Sequence, residues 1–328
     1  MNGNEHRLFI LVASLAPLAG VAIAMAALWN NGVGLSDVIV LVVMYTIGAL
    51  GVSVGFHRLL AHRSFKTYQG VSDALAVAGT IAAQGPPIIW ASHHRRHHRV
   101  ADKDGDPHSP YFNGEVGKLG ILKGLWHSHL GWLLDKNLTS DPMRYCPDLL
   151  RDKHLRWISR HFIAVVVAGL LLPAALGFAL TGEPAAALTG FLWGGLVRVF
   201  LLNHVTYAVN SIGHVYGRRR FSTPDESRNV AWLAIPSFGE AWHNNHHAFP
   251  KSATHGMRWY EPDLSALFIE TLRRSRLAWD VIRIPSERQA AREAGLARAG
   301  GGRFAPSAPV PPLAERKGPD SAGVADVE

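Results

Sequence analysis

Val38-Ile-Val-Leu-Val-Val-Met-Tyr-Thr-Ile-Gly-Ala-Leu-Gly-Val-Ser-Val-Gly-Phe56 contains no charged side chain and runs directly into His57-Arg-Leu-Leu-Ala-His62. An apolar run of this length, roughly 20 residues, crosses the hydrocarbon of a bilayer as a helix. The segment therefore predicts a membrane span that delivers a histidine pair at its end.

Three more runs read the same way. Leu8 to Trp29 is free of charge, too long for a secretory h-region and without a small-residue cleavage site, so it is expected to span. Phe162–Leu180 and Ala185–Tyr207 follow, separated only by Thr181-Gly182-Glu183-Pro184. Arg198 lies in the last run and is expected to face the bundle or to snorkel, because a lipid-facing guanidinium costs several kcal/mol. Val71–Trp90 is also apolar but contains Gly85-Pro86-Pro87, and proline breaks the internal hydrogen bonding that lipid cannot replace. It is read as a half-inserted or interfacial segment.

Composition agrees. Asp, Glu, Lys and Arg make up 18% of the 328 residues, against about 25% in soluble domains. One cysteine, Cys146, excludes an internal disulfide framework and any cysteine-held zinc or iron–sulfur cluster. Residues 30–56 and 161–197 hold no Lys or Arg, whereas 15 lie between His57 and Arg160 and 16 after Ala208. By the positive-inside rule both termini and the long middle segment face the cytoplasm. The net charge of +8 then sits beside spans, where anionic headgroups explain it better than nucleic acid does. The stretch 285–328, rich in Arg, Ala, Gly and Pro, reads as a disordered polar tail after a domain covering 1–284.

Eighteen histidines remain to be explained. They include His57 and His62, His94-Arg-Arg-His97-His98, Asn210-Ser-Ile-Gly-His214, and His243-Asn-Asn-His246-His247. At this histidine content HxxHH should arise roughly 0.05 times by composition, yet it occurs twice, some 150 residues apart. Positions i, i+3 and i+4 share one helix face, so each box aims three imidazoles at one small volume. Neutral imidazole suits iron, zinc, copper and nickel. His57 and His62 would stand about 140° apart on an ideal α-helix and are expected to straddle a helix end. The other nine histidines are taken as non-ligands, with supporting roles open to His108 and His129.

These boxes, with Asp106-Pro-His-Ser-Pro110 and Ser128-His-Leu-Gly-Trp-Leu-Leu134, resemble the membrane fatty-acid desaturase family, in particular its acyl-CoA delta-9 (stearoyl-CoA-type) branch, over about residues 10–280. The resemblance implies an all-α integral membrane protein in which four transmembrane helices carry a cytosolic helical cap with a histidine-rich diiron site. It implies that His57, His62, His94, His97, His98, His214, His243, His246 and His247 hold two Fe ions, and that Asn210 approaches the metal through water. Gln84, Trp90 and Thr206 match the residues that hold the bend of the acyl chain at the metals. Tyr45 and Ala49 match those that close the far end of the tunnel. Animal acyl-CoA desaturases place Arg-Asp where this chain has Ser92 and His93, so the carrier is open between acyl-CoA and acyl-phospholipid.

The implied activity is oxygen-dependent insertion of a cis delta-9 double bond. No GxGxxG fingerprint and no haem-binding domain is present, so a separate ferredoxin or cytochrome b5-type donor with a reductase is expected. A hydroxylase or ketolase would share the boxes. A histidine-rich metal transporter would place ligands at the bilayer midplane, where the expected spans have none.

Overall fold

The computed structural model describes residues 16–26, 32–111, 118–135 and 138–298. Helix α1 (Ala16–Ala26) is short and apolar. It falls within the first expected span, of which residues 8–15 and 27–29 lie outside the described residues. Among the described residues three helices are long and apolar enough to cross a membrane: α2 (Leu35–Ala61), α7 (Phe162–Thr181) and α8 (Pro184–Val215). Each carries the run expected to span. Both α2 and α8 extend well beyond it, and those extensions carry His57 and His214.

Between α2 and α7 lie α3 (Gln69–Thr80), α4 (Pro87–Val100), α5 (Lys118–Trp126) and α6 (Lys153–Arg160). The Pro86-Pro87 pair does interrupt the apolar stretch, by separating α3 from α4. Pro86 is the N-cap and Pro87 occupies the first turn of α4, where a missing N–H costs nothing. Gly51 of α2 meets Gly79 of α3 so closely that a Cβ on either would overlap the other helix, which lets α3 lie against the histidine-bearing end of α2.

After α8 come α9 (His243–Ala248) and α10 (Leu264–Arg274). A two-residue antiparallel ladder, β1 (Lys66–Thr67) with β2 (Ala278–Trp279), is a small exception to the all-α expectation. The expected disordered tail needs a larger correction, because Ser286–Arg298 forms helix α11. Arg220 Nε donates to Glu293 Oε1 at 2.8 Å and Arg258 Nη2 to Glu293 Oε2 at 3.1 Å, so α11 is tied to the body. Its Ala, Arg, Glu and Gln residues are strong helix formers, a propensity hidden by the bias of the stretch as a whole. Residues 299–328 lie outside the described residues.

Arg198 is fully buried, as its place in a span required. Its guanidinium donates to three backbone carbonyls: Gly194 at 3.0 Å, Ile81 at 2.7 Å and Gly169 at 3.2 Å. One side chain thus joins α8, α7 and the turn after α3. Arg198→Ala is expected to cost on the order of 3 kcal/mol, since each bond to a charged donor contributes about 1.5–3 kcal/mol. Thermal unfolding in detergent would read this as a lowered midpoint, and an unchanged midpoint would refute it.

Candidate metal centre

The last eleven residues of α2, Gly51–Ala61, wind as a π-helix. Its i→i+5 pattern is seen at the end, where His62 N donates to His57 O at 3.0 Å. His57 lies within this winding and His62 caps it, so the pair straddles the helix end as expected, but the π-winding replaces the 140° separation and brings both rings to one side, with centroids 4.8 Å apart.

Helices α4 and α9 bring the two HxxHH boxes against this edge, and α8 adds His214. The nine imidazoles sort into two groups that could each hold an ion: His57, His62, His94, His98 and His246, and His97, His214, His243 and His247. Neither box serves a single group, contrary to the expectation of three imidazoles aimed at one volume. Helix α4 gives two residues to the first group and one to the second, and α9 gives one and two. On an α-helix, i and i+4 lie about 40° apart whereas i+3 lies about 60° to the other side, so each helix faces two adjacent points.

Facing nitrogens are close. In the first group Nε2–Nε2 separations are 2.7 Å for His62–His94, 3.1 Å for His57–His246 and 2.8 Å for His98–His246. In the second they are 2.9 Å for His214–His243 and 3.3 Å for His97–His247. Two imidazoles at right angles on a metal, each about 2.1 Å away, place their nitrogens about 3 Å apart.

Four carboxylates explain why such contacts require a cation. The Nδ1–H of His57 meets Glu240 at 2.5 Å, that of His97 Asp106 at 2.9 Å, that of His214 Asp102 at 2.7 Å and that of His247 Asp225 at 3.0 Å. Burial opposes ionisation of Asp106 and Asp225, but the adjoining His97 and His247 outweigh it and hold both acids well below the ordinary carboxylate range. An ionised carboxylate only accepts, so each Nδ1 carries the proton and each Nε2 presents a lone pair. His97 and His247 therefore aim two lone pairs at each other, an arrangement that only a shared cation makes favourable. The donor set fits a borderline transition metal.

Burial, reinforced by neighbouring imidazoles, pushes His62, His94, His98, His243 and His246 well below the ordinary histidine value. His247 is lowered to about 4, burial outweighing the opposing pull of Asp225. These six imidazoles are thus neutral at neutral pH.

The imidazole groups open onto a small cavity lined by Ala49, Trp90, Thr206 and Asn210 together with His57 and Glu240. Gln84 stands behind that wall, donating to Thr206 Oγ1 at 2.9 Å and accepting from Trp90 Nε1 at 3.2 Å. Tyr45, one helical turn before Ala49, is not among the lining residues; it packs against the cluster that holds Ala49, its hydroxyl donating to Pro236 O at 2.7 Å. A family profile described as fatty acid desaturase matches residues 36–282.

The chain belongs to the fatty acid desaturase family.

Among its relatives is the hex-5-enoyl-[acyl-carrier protein] acetylenase of Moorena producens (strain JHB), 42% identical over 86% of this chain and 87% of that protein. Delta-9 acyl-lipid desaturase 1 of Arabidopsis thaliana is 39% identical over 78% of both chains. The sn-1 stearoyl-lipid 9-desaturase of Anabaena variabilis is 37% identical over 74% and 82%.

Reading the desaturase from its histidines alone missed the carboxylates. Asp102 and Asp106 follow the second box in Asp-Lys-Asp-Gly-Asp, Glu240 stands three residues before His243, and Asp225 carries no local signal. Of the histidines with open supporting roles, His108 stacks on His97 at 4.4 Å between centroids. His129 instead bonds Ser211 Oγ at 3.0 Å and His204 Nδ1 at 2.9 Å. His255, set aside as ordinary, packs 4.5 Å from His246 between centroids and 3.4 Å from Glu240.

Asp225→Asn is expected to weaken metal affinity 10–100-fold, the usual consequence of removing the partner of a ligating imidazole. Metal content after equilibration with a graded chelator checks this, and retention equal to the parent would contradict it. Metal-stripped protein is expected to lose stability as pH falls from about 6.5 toward 4. The unfolded chain then takes up protons that the buried imidazoles refuse, whereas above about 7 neither state does. A melting profile flat from pH 7 to 5 would contradict the assignment.

Proposed function

We propose that this desaturase inserts a cis delta-9 double bond into a long-chain saturated acyl chain at two iron ions held by the nine grouped histidines. The observation that carries the reading is the pair of imidazole groups opening onto an apolar cavity. Bound there, the irons supply the reduction of dioxygen and the removal of two hydrogens from adjacent methylenes, chemistry no side chain provides.

The chain's own residues position and exclude. Ala49, Val52, Leu202 and Val205 line the cavity with apolar surface that takes a hydrocarbon chain out of water. The Trp90–Gln84–Thr206 hydrogen-bond chain spends its polar groups on one another, so it fixes the shape of the wall without offering a site for water. Asn210 lines the same cavity as His57, His94 and His243, where its amide would hold a water for the metals. Tyr45 and Ala49 close the far end and set the chain length beyond the reacting bond. Regiochemistry then comes from holding one C–C bond at the metals.

An acyl-lipid carrier is favoured over acyl-CoA. Where a CoA-binding Arg-Asp pair would stand, Ser92 is fully buried and donates to Ser140 O at 3.2 Å, and His93 Nδ1 lies 3.0 Å from Ser140 Oγ. Neither is free to meet a phosphate. The relatives named for acyl-lipid substrates support the same choice. The enzyme is read as a multi-pass protein of the cell membrane, with its metal centre and both termini cytoplasmic, drawing two electrons per turnover from a separate ferredoxin or cytochrome b5-type donor.

Lipids from cells expressing the chain, derivatised at their double bonds and analysed by gas chromatography–mass spectrometry, should contain new delta-9 monoenes. These should be absent with His97→Ala, which also loses iron. A hydroxy, keto or alkyne product would redirect the assignment. Tyr45→Ala is expected to shift the product profile toward longer chains, and an unchanged profile would remove Tyr45 from the end of the tunnel.

A further inference from the structure

The segment Val230-Ala-Trp-Leu-Ala-Ile-Pro-Ser-Phe-Gly239 is free of charge between Arg228 and Glu240. Its inner side packs: Leu233 and Ala234 are buried, Pro236 and Ser237 line the cavity, and Phe238 meets Tyr45 with ring centroids 6.2 Å apart. Its outer side leaves Trp232 68% and Ile235 61% exposed.

Depth decides what covers that outer side. The Pro236 carbonyl accepts from Tyr45, which stands twelve residues before His57 in α2. At no more than about 1.5 Å per residue, the loop reaches up to about 18 Å below the first histidine along the span. At that level α2 itself exposes Val42, Val43 and Ile47, the side chains it turns outward as a span. The loop therefore lies inside the apolar belt of the helices.

Its backbone suits such a place. Leu233 N donates to Val230 O, Ala234 N to Ala231 O, Ser237 N to Leu233 O, Phe238 N to Ile235 O and Gly239 N to Ala234 O. Proline 236 has no N–H, and Tyr45 meets its carbonyl. Non-helical backbone survives at membrane depth only where its polar groups are met in this way.

We propose that residues 231–238 form a re-entrant loop seated in the leaflet on the metal-centre side, with Trp232 and Ile235 against lipid acyl chains. Resting on the acyl-lipid reading, the loop is also the wall across which a bilayer acyl chain reaches the cavity without entering water.

The native chain has one cysteine, Cys146, and it is buried, so a Cys146→Ala background admits single spin labels. Trp232→Cys, Ile235→Cys and, as a water-exposed control, Met143→Cys are labelled in the full chain reconstituted in phosphatidylcholine–phosphatidylglycerol vesicles. Labels at 232 and 235 are expected to show an oxygen-to-nickel-complex accessibility ratio at least fivefold above that at 143. Equal ratios would overturn the proposal. Metal content verifies the fold of each variant. A variant that fails is replaced by Trp232→Phe in the unaltered chain, which should lower the share of tryptophan fluorescence quenched by brominated phosphatidylcholine. An unchanged share would equally overturn it. Neither measurement involves turnover, so a different substrate would leave this result intact.

Discussion

Four ionised carboxylates, each holding the outer nitrogen of one imidazole, are the constraint on which the centre depends. They fix the tautomer of those four imidazoles, and with it the direction in which their lone pairs point. Their protein partners explain much of the surrounding architecture. Asp102 also accepts from Glu226 N, Asp106 from Asp102 N and His108 N, and Glu240 lies beside Arg58, Ser53 and His255. Asp102 and Asp106 follow directly on α4, and the segment between α8 and α9 brings Asp225 and Glu240 back to the imidazole groups. A buried carboxylate without such partners would cost several kcal/mol, so acids and imidazoles are retained together.

Three apolar spans and the histidines that the fold brings into two groups were legible in the sequence, as a charge-free run and a helical spacing. Charge-free runs report bilayer thickness, and HxxHH reports a helix face. Cost alone left Arg198 two placements, in the bundle or snorkelling, and the fold takes the first. What remained hidden depends on geometry that periodicity assumes rather than measures. The 140° angle between His57 and His62 was right for an α-helix, and α2 is not one there. The sharing of each HxxHH box between two groups needed the position of a second helix. Glu240 and Asp225 lie in loops and meet their imidazoles across the fold. Helix α11 was concealed by a composition bias extending well past it.

The acyl cavity shows how an apolar site obtains its shape. Several polar groups at and behind its wall are satisfied among themselves, in the chain from Trp90 through Gln84 to Thr206 and in the bond from Tyr45 to Pro236. Buried polar groups paired with one another add rigidity without attracting water, whereas an unpaired one would invite it. The cavity is thus specific by form, and the metal groups supply its polarity at one end.

Because α4 and α9 each contribute to both imidazole groups, the two metal positions are mechanically one object. An ion held in the first group would immobilise His94, His98 and His246 and, through their helices, order His97, His243 and His247 as well. A second ion would then meet ligands whose conformational freedom is already lost, a positive free-energy coupling between the two groups. Such a centre would fill in pairs, with half-loaded protein the scarce species.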